Sequence, residues 1–485
     1  MVKGKYVIGW EDDDFVIYRD GCVAWEGDTI VHVGRDFTGD VDEVIDAGDA
    51  IIAPGFIDMN AVGDIDHHLI FSDYPAEHAS RLGWSADYFE HRRREDMSTE
   101  DEAIKSRYVY AHMLRNGTTT AIPITSTIPK AAGETYEEIV AAAGHAADLG
   151  LRVYLGPSYL QAKHVNDKSG TCSVRKLPPN EIEKGLANAE RFIQEFDGAH
   201  EGLIRACVGP ERIELQSEES ILASVGLARK YGVPIRMHAT QGLFEYGYIM
   251  DKTGLSPVQY LERLGYWGKD TLLPHGFVVS GYSGIEDKGT ADLDILRDRG
   301  VGVIHCPIVI GRSGKALQSW GKHVRHGIRL CLGSDTWPAD IIENIKYGSM
   351  IARILDDNRE ENHFATFYRA ATVGAARALG RGDLGRLAPG CQADIIVIDQ
   401  TRPDYGVQMD PIQSLFNNGY GSMVRHTIVA GRIVMRDRVI PGFDDDEMRA
   451  RAQEVHDRMR DTYIRRSDTP EMPAGDFFPP NFPLR

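Results

Sequence analysis

Between residues 233 and 335 the chain repeats one pattern four times: Ile235-Arg236-Met237-His238, Leu272-Leu273-Pro274-His275, Val303-Ile304-His305-Cys306-Pro307 and Leu332-Gly333-Ser334-Asp335. Each repeat is a short apolar run ending near a side chain able to bind a metal or move a proton. Apolar runs without alternation read as strands covered on both faces. Similar runs lie upstream at 51–57, 118–122, 151–155 and 203–208; with 233–237, 271–273, 301–304 and 328–332 they make eight. The segments between them have helical period. One of these opens with a capping box between Ser98 and Asp101 and stops at Asn116-Gly117. Eight buried strands alternating with helices predict an α/β fold, a (β/α)8 TIM-type barrel.

The two ends of the chain have another texture. Short β-like runs at 5–10, 15–18, 22–25 and 29–33 are broken by Gly and Asp, and similar runs return at 393–399 and 427–435. This predicts a composite β-sandwich built from both ends. The expected boundaries are 1–54 for its first part, 55–380 for the barrel, 381–441 for its second part, and 442–485 for a C-terminal helix (446–465) with a Pro-rich tail. The tail is expected to lie on the protein's own surface or on a partner subunit.

Composition narrows the function. Of 485 residues, 54 are Lys or Arg and 72 are Asp or Glu, a net charge of −18. An acidic chain whose one basic run, His91-Arg92-Arg93-Arg94, is isolated is not expected to bind nucleic acid. No apolar run approaches the roughly 18 residues of a membrane span, and no secretory h-region follows Met1. The six cysteines form no CxxC pair and read as reduced. The expectation is a cytoplasmic protein with a small-molecule substrate, no nucleic-acid or membrane partner, and a homodimeric or homotetrameric state.

In a barrel the C-terminal strand ends converge on one mouth, where catalytic residues collect. His238, His275, His305 and Asp335 would then face one spot. Imidazoles with a carboxylate suit zinc first, with iron, cobalt or manganese as alternatives. His323, His326 and His363 lack such a context and read as surface residues. Lys163 and His164 follow the third strand, and Glu211 and Arg212 the fourth, as substrate or supporting contacts. Phe71, Tyr74, Trp84, Tyr88 and Phe89 in the 69–90 insertion suggest an aromatic lid.

Two stretches resemble the amidohydrolase superfamily. Asp46-Ala47-Gly48 with Ile52-Ala53-Pro54-Gly55-Phe56-Ile57-Asp58 is similar to its first barrel strand, and Gly385-Arg386-Leu387-Ala388-Pro389-Gly390-Cys391-Gln392-Ala393-Asp394 to its return into the β-domain. His305-Cys306-Pro307 and Gly333-Ser334-Asp335 resemble the cytosine-deaminase and chlorotriazine-hydrolase branches. The resemblance implies a metal-dependent hydrolase. The chain departs from the family at two points. Where the family carries His-x-His, this chain has Asn60-Ala61-Val62, which resembles the molinate and phenylurea hydrolase branch in its Asn. Where those branches place Glu after the fifth-strand His, it has Gln241, and an amide does not take up a proton at neutral pH.

The resemblance implies one divalent metal per chain, held by His238 and His275 with Asp335 or an oxygen from Asn60. The Asp64-Ile65-Asp66-His67-His68 loop is a candidate for a further ligand or a substrate contact. Asp335 is expected to take the proton of the attacking water and pass it to the leaving amine. His305 is expected to hold the oxyanion. Gln241, His67, Lys163 and Glu211 are expected to contact substrate or support the site. The expected reaction is hydrolysis of a C–N or carbamoyl-type bond in an amide, urea, carbamate or thiocarbamate. The alternatives are an amino-heterocycle deaminase or triazine-type hydrolase, and a non-catalytic binding protein.

Overall fold

The computed structural model describes residues 1–70, 82–318, 320–356 and 358–483. Two four-stranded parallel sheets hold the eight expected strands. The first contains β1 (Phe56–Val62), β2 (Thr118–Ile124), β3 (Arg152–Leu155) and β4 (Ile204–Ala206), in the order β4-β3-β2-β1. The second runs β5 (Ile235–Arg236), β6 (Thr271–Pro274), β7 (Gly302–His305) and β8 (Arg329–Leu332). Backbone hydrogen bonds link them at both edges. Arg236 N donates to Val208 O over 2.9 Å, and Asp335 N to Asn60 O over 2.8 Å.

The strands are buried on both faces. Ile57, Val153, Ile204, Leu272, Val303 and Leu332 are all at most 1% exposed. Helices fill the connections, and the helix Thr99–Arg115 carries the expected capping box between Ser98 and Asp101.

The run 51–57 is not one strand. Ala50–Pro54 joins a different sheet, and β1 begins only at Phe56. Gly55 is the break: a Cβ there would lie 2.1 Å from Thr119 Oγ1, so only glycine lets the chain pass β2. The run 427–435 likewise divides into a hairpin, Val424–Val429 and Arg432–Met435, around Ala430 and Gly431, both at positive φ.

Strands from both ends of the chain pair in one eight-stranded sheet. In it Ala50–Pro54 lies between Val2–Glu11, which it meets in parallel, and Ile395–Asp399, which it meets antiparallel. The C-terminal helix, Asp445–Arg466, buries Val455, Met459 and Tyr463 against the main core. Phe477, in the tail, is buried in the same core. No helix of the described residues is long and apolar enough to cross a membrane.

Candidate active site at the strand ends

Beyond the strand ends the backbone takes conformations that L-residues avoid. Thr240, His275, Asp335 and Thr336 have φ of 65°, 68°, 50° and 51°. Left-handed backbone at non-glycine residues, two of them β-branched, is strain that persists only where surrounding contacts enforce it, and it clusters at functional sites. Here those contacts include His275 N to Ile304 O at 2.7 Å, and the Glu245 carboxylate accepting from Thr240 N and from Gln241 N at 3.2 Å.

These turns set His238, His275 and Asp335 beside one another. The two imidazole rings stand 5.4 Å apart, centroid to centroid. His275 Nε2 is 3.7 Å from Asp335 Oδ2. His238 Nδ1 is tied to Glu211 O over 3.1 Å. Burial keeps both rings neutral, with Arg212 adding to it: His238 is held well below its usual value and His275 is lowered to about 3. Asp335 is pushed up to about 7 by burial and by Asp58.

His238 and Asp335 open on a cavity of about 440 Å³. Its wall also carries Glu211, Gln241, Lys163 and His67, the four residues expected to touch substrate, together with Arg212, Glu245 and Asp66. Trp84, Phe244, Phe277 and Trp337 give it aromatic faces. His67 stacks on Trp337 at 5.1 Å. Of the expected lid aromatics, Trp84 reaches the cavity, Tyr88 and Phe89 pack beside it, and Phe71 and Tyr74 lie outside the described residues. The side chain of His68 is also outside them.

Lys163 is buried, and its Nζ donates to Thr127 O over 2.7 Å and to Lys130 O over 2.6 Å. Desolvation, with Arg466 second, lowers it to about 7. The cavity floor is tied down by buried ions. Lys105 Nζ is 2.6 Å from both Asp64 and Glu102, and Asp64 is part of the wall. From the C-terminal helix, Arg466 donates to Ile128 O and Leu82 O, and Tyr463 to Asp66 over 3.4 Å.

The structure places three further residues, and one of them, His323, corrects an expectation. Asn60 Nδ2 donates to Asp335 Oδ1 over 3.0 Å, while its Oδ1 is buried without a hydrogen-bond partner. An amide that spends its donor on the carboxylate positions Asp335. His305 is not part of the cavity wall. Its ring is buried 5.8 Å from Trp320, and burial lowers it to about 3. His323 is buried, at 3% exposure, where a surface position was expected.

A divalent cation fits the donor chemistry: two neutral imidazoles, one carboxylate, and a His275 ring whose two nitrogens are buried without hydrogen-bond partners. Among the described residues, no three His, Cys, Asp or Glu side chains already stand close enough to share one ion. His275 and Asn60 lie outside the cavity wall, so His238 and Asp335 are the candidate ligands that face it.

Arg212 and Glu245 carried no motif in the sequence. The only signal for Arg212 was its place after the fourth strand, and for Glu245 there was none.

The pattern that describes the Amidohydrolase family matches residues 51–434. The chain is 24% identical to a 5'-deoxyadenosine deaminase of Methanosarcina mazei, over 95% of this chain and 98% of that one. It is 26% identical to a 5-methylthioadenosine/S-adenosylhomocysteine deaminase of Natronomonas pharaonis, over 74% and 76% of the two chains. Among solved structures, an atrazine chlorohydrolase from Arthrobacter aurescens TC1 complexed with zinc superimposes with TM-score 0.78 at 21% identity, covering 94% of this chain and all of that one. An adenosine deaminase from Xanthomonas campestris with bound zinc does so with TM-score 0.78 at 19% identity, covering 95% and 98%.

Proposed function

Because the chain belongs to the amidohydrolase family and is a hydrolase acting on carbon–nitrogen bonds, we propose that it removes an amino or similar leaving group from a small, neutral amino-heterocycle. Asp335 carries this reading: a largely buried carboxyl group on the same cavity wall as His238 and 3.7 Å from His275. The near full-length likeness to deaminases and the aromatic cavity faces support the substrate class. In the proposed architecture the two parallel sheets form one (β/α)8 barrel over 55–380. The end sheet is the counterpart of the composite β-domain, from 1–54 and 381–441, with 442–485 as the closing helix and tail.

His238, His275 and Asp335 would hold one divalent metal, zinc first. When bound, it acts as a Lewis acid that makes water nucleophilic at neutral pH. The chain's own residues do the rest. Asp335 accepts the proton from the attacking water and returns it to the departing nitrogen. The Asn60 amide fixes the carboxylate through Oδ1, leaving Oδ2 free to act. The two imidazoles stay neutral, so their lone pairs remain available. The aromatic walls exclude water around a planar substrate.

A second reading, hydrolysis of an amide, urea, carbamate or thiocarbamate, is favoured by Gln241. Its oxygen is held by Arg212, so it does not shuttle a proton to a heterocycle nitrogen. The test is product analysis on zinc-supplied protein. Ammonia from amino-purine nucleosides or amino-triazines supports the first reading. Amine release from ureas, carbamates or amides alone replaces it with the second. Turnover of none, with tight binding, overturns both.

A further inference from the structure

Lys163 is a buried amine on the cavity wall for which the proposed hydrolysis has no use. Its Nζ donates to two backbone carbonyls, Thr127 O at 2.7 Å and Lys130 O at 2.6 Å. A neutral amine has two N–H groups and one lone pair, so these two acceptors saturate its neutral form. A third N–H would add a charge beside a second cation: the Trp84 ring lies 5.3 Å from Nζ and 5.1 Å from the Arg466 guanidinium. Desolvation first, and Arg466 second, lower the amine to about 7. Lys130 acts in the same direction, and Glu211 and Glu95 oppose it without pairing with it among the described residues.

Thr127 and Trp84 belong to the same cavity wall, so Nζ stands between two residues that a bound molecule meets. The thiols that would compete for an electrophile are withdrawn. Five of the six cysteines are buried, and burial raises the sixth, Cys172.

We propose that Lys163 is a nucleophilic amine that captures a small, planar α,β-unsaturated carbonyl compound entering the cavity. The Nζ lone pair forms a bond to the β-carbon, the C=C pair moves to the α-carbon, and one amine hydrogen passes to that carbon through water. Nothing leaves, and nothing is oxidised or reduced. The two hydrogen bonds select this addition over a Schiff base. The adduct nitrogen keeps one N–H when neutral and two when protonated, to donate to Thr127 O and Lys130 O. An imine keeps none when neutral and one when protonated, so it strands at least one buried carbonyl. Trp84 offers an aromatic face to the conjugated group. The inference stands apart from the hydrolytic reading, in which Lys163 moves no proton and holds no metal.

The test treats the zinc-supplied protein with one equivalent of methyl vinyl ketone, fixes the adducts with borohydride and maps them by peptide mass spectrometry. At pH 7 Lys163 should be labelled at least about tenfold faster than any other lysine and than Cys172, because an ordinary lysine is neutral in only about one molecule in 10³ there. Between pH 7 and 9 its rate should rise about twofold, while exposed lysines gain about 100-fold. Lys163→Met should lose the fast adduct and keep the slow ones, with a melting curve to show that it is folded.

The wild-type map decides the matter even if that variant does not fold. Labelling of Lys163 no faster than that of exposed lysines, or slower than that of Cys172, overturns the inference. So does a Lys163 rate that climbs with pH as steeply as theirs.

Discussion

Replacing Lys105 with Met tests how the cavity floor is held. Lys105, Asp64 and Glu102 have side chains 0%, 0% and 3% exposed, and the ammonium stands 2.6 Å from each carboxylate. Removing the cation leaves Asp64 buried without its partner and Glu102 with Lys130 alone, 3.5 Å away. Breaking a buried pair from one side costs about 3–5 kcal/mol. Unfolding entropy is about 2.1 cal/mol/K per residue near 60 °C, or about 1 kcal/mol/K for a chain of this length, so the midpoint should fall by about 3–5 °C. Burial already raises Asp64, and losing Lys105 raises it further and lifts Glu102 as well. A carboxyl group whose folded pKa lies above its unfolded one binds more protons when folded, so its contribution falls as pH rises between the two values. The deficit should therefore be larger at pH 8 than at pH 5. Scanning calorimetry of both proteins at the two pH values measures it. A deficit below about 1 kcal/mol, or one of equal size at both, would refute the reasoning. Asp64 also lies on the cavity wall, so the variant should bind substrate more weakly.

Other outcomes follow from the same structure. Asp335→Asn should lower turnover by about 10²- to 10⁴-fold and erase the acid limb of the pH–rate profile, with the fold kept; near wild-type turnover would remove Asp335 from the mechanism. Lys163 is lowered to about 7 by desolvation, so between that value and its ordinary 10.5 the unfolded chain carries the extra proton. Its contribution to stability thus rises with pH across that window, by at most about 1.4 kcal/mol per pH unit. Lys163→Met should accordingly be more stable than wild type at pH 7 and lose that advantage by pH 10; melting curves with a constant offset would contradict this.

The eight strands were legible because burial on both faces leaves an unbroken apolar run, and the helix after Ser98 because capping is local. What the sequence hid depends on residues distant along the chain. The break at Gly55 exists because Thr119 of the neighbouring strand occupies the space a Cβ would need. Lys105 reads as an ordinary helical lysine until Asp64, 41 residues away, closes on it. The orientation of Gln241 is set by Arg212, 29 residues earlier. Asn60 was read for its oxygen because the family carries a ligand there; the fold adds that its amide N–H donates to Asp335. The strand-end residues were found as a group, yet position along a strand did not separate His238, which faces the cavity, from His305, which packs against Trp320.

The most direct test of the account is metal content per chain, measured by mass spectrometry on protein purified without chelator, beside the His238→Ala and His275→Ala variants. The account predicts about one equivalent of a divalent transition metal in the wild type, and its loss in both variants with the fold intact. A wild-type protein that contains none and takes up none when zinc is added would contradict it.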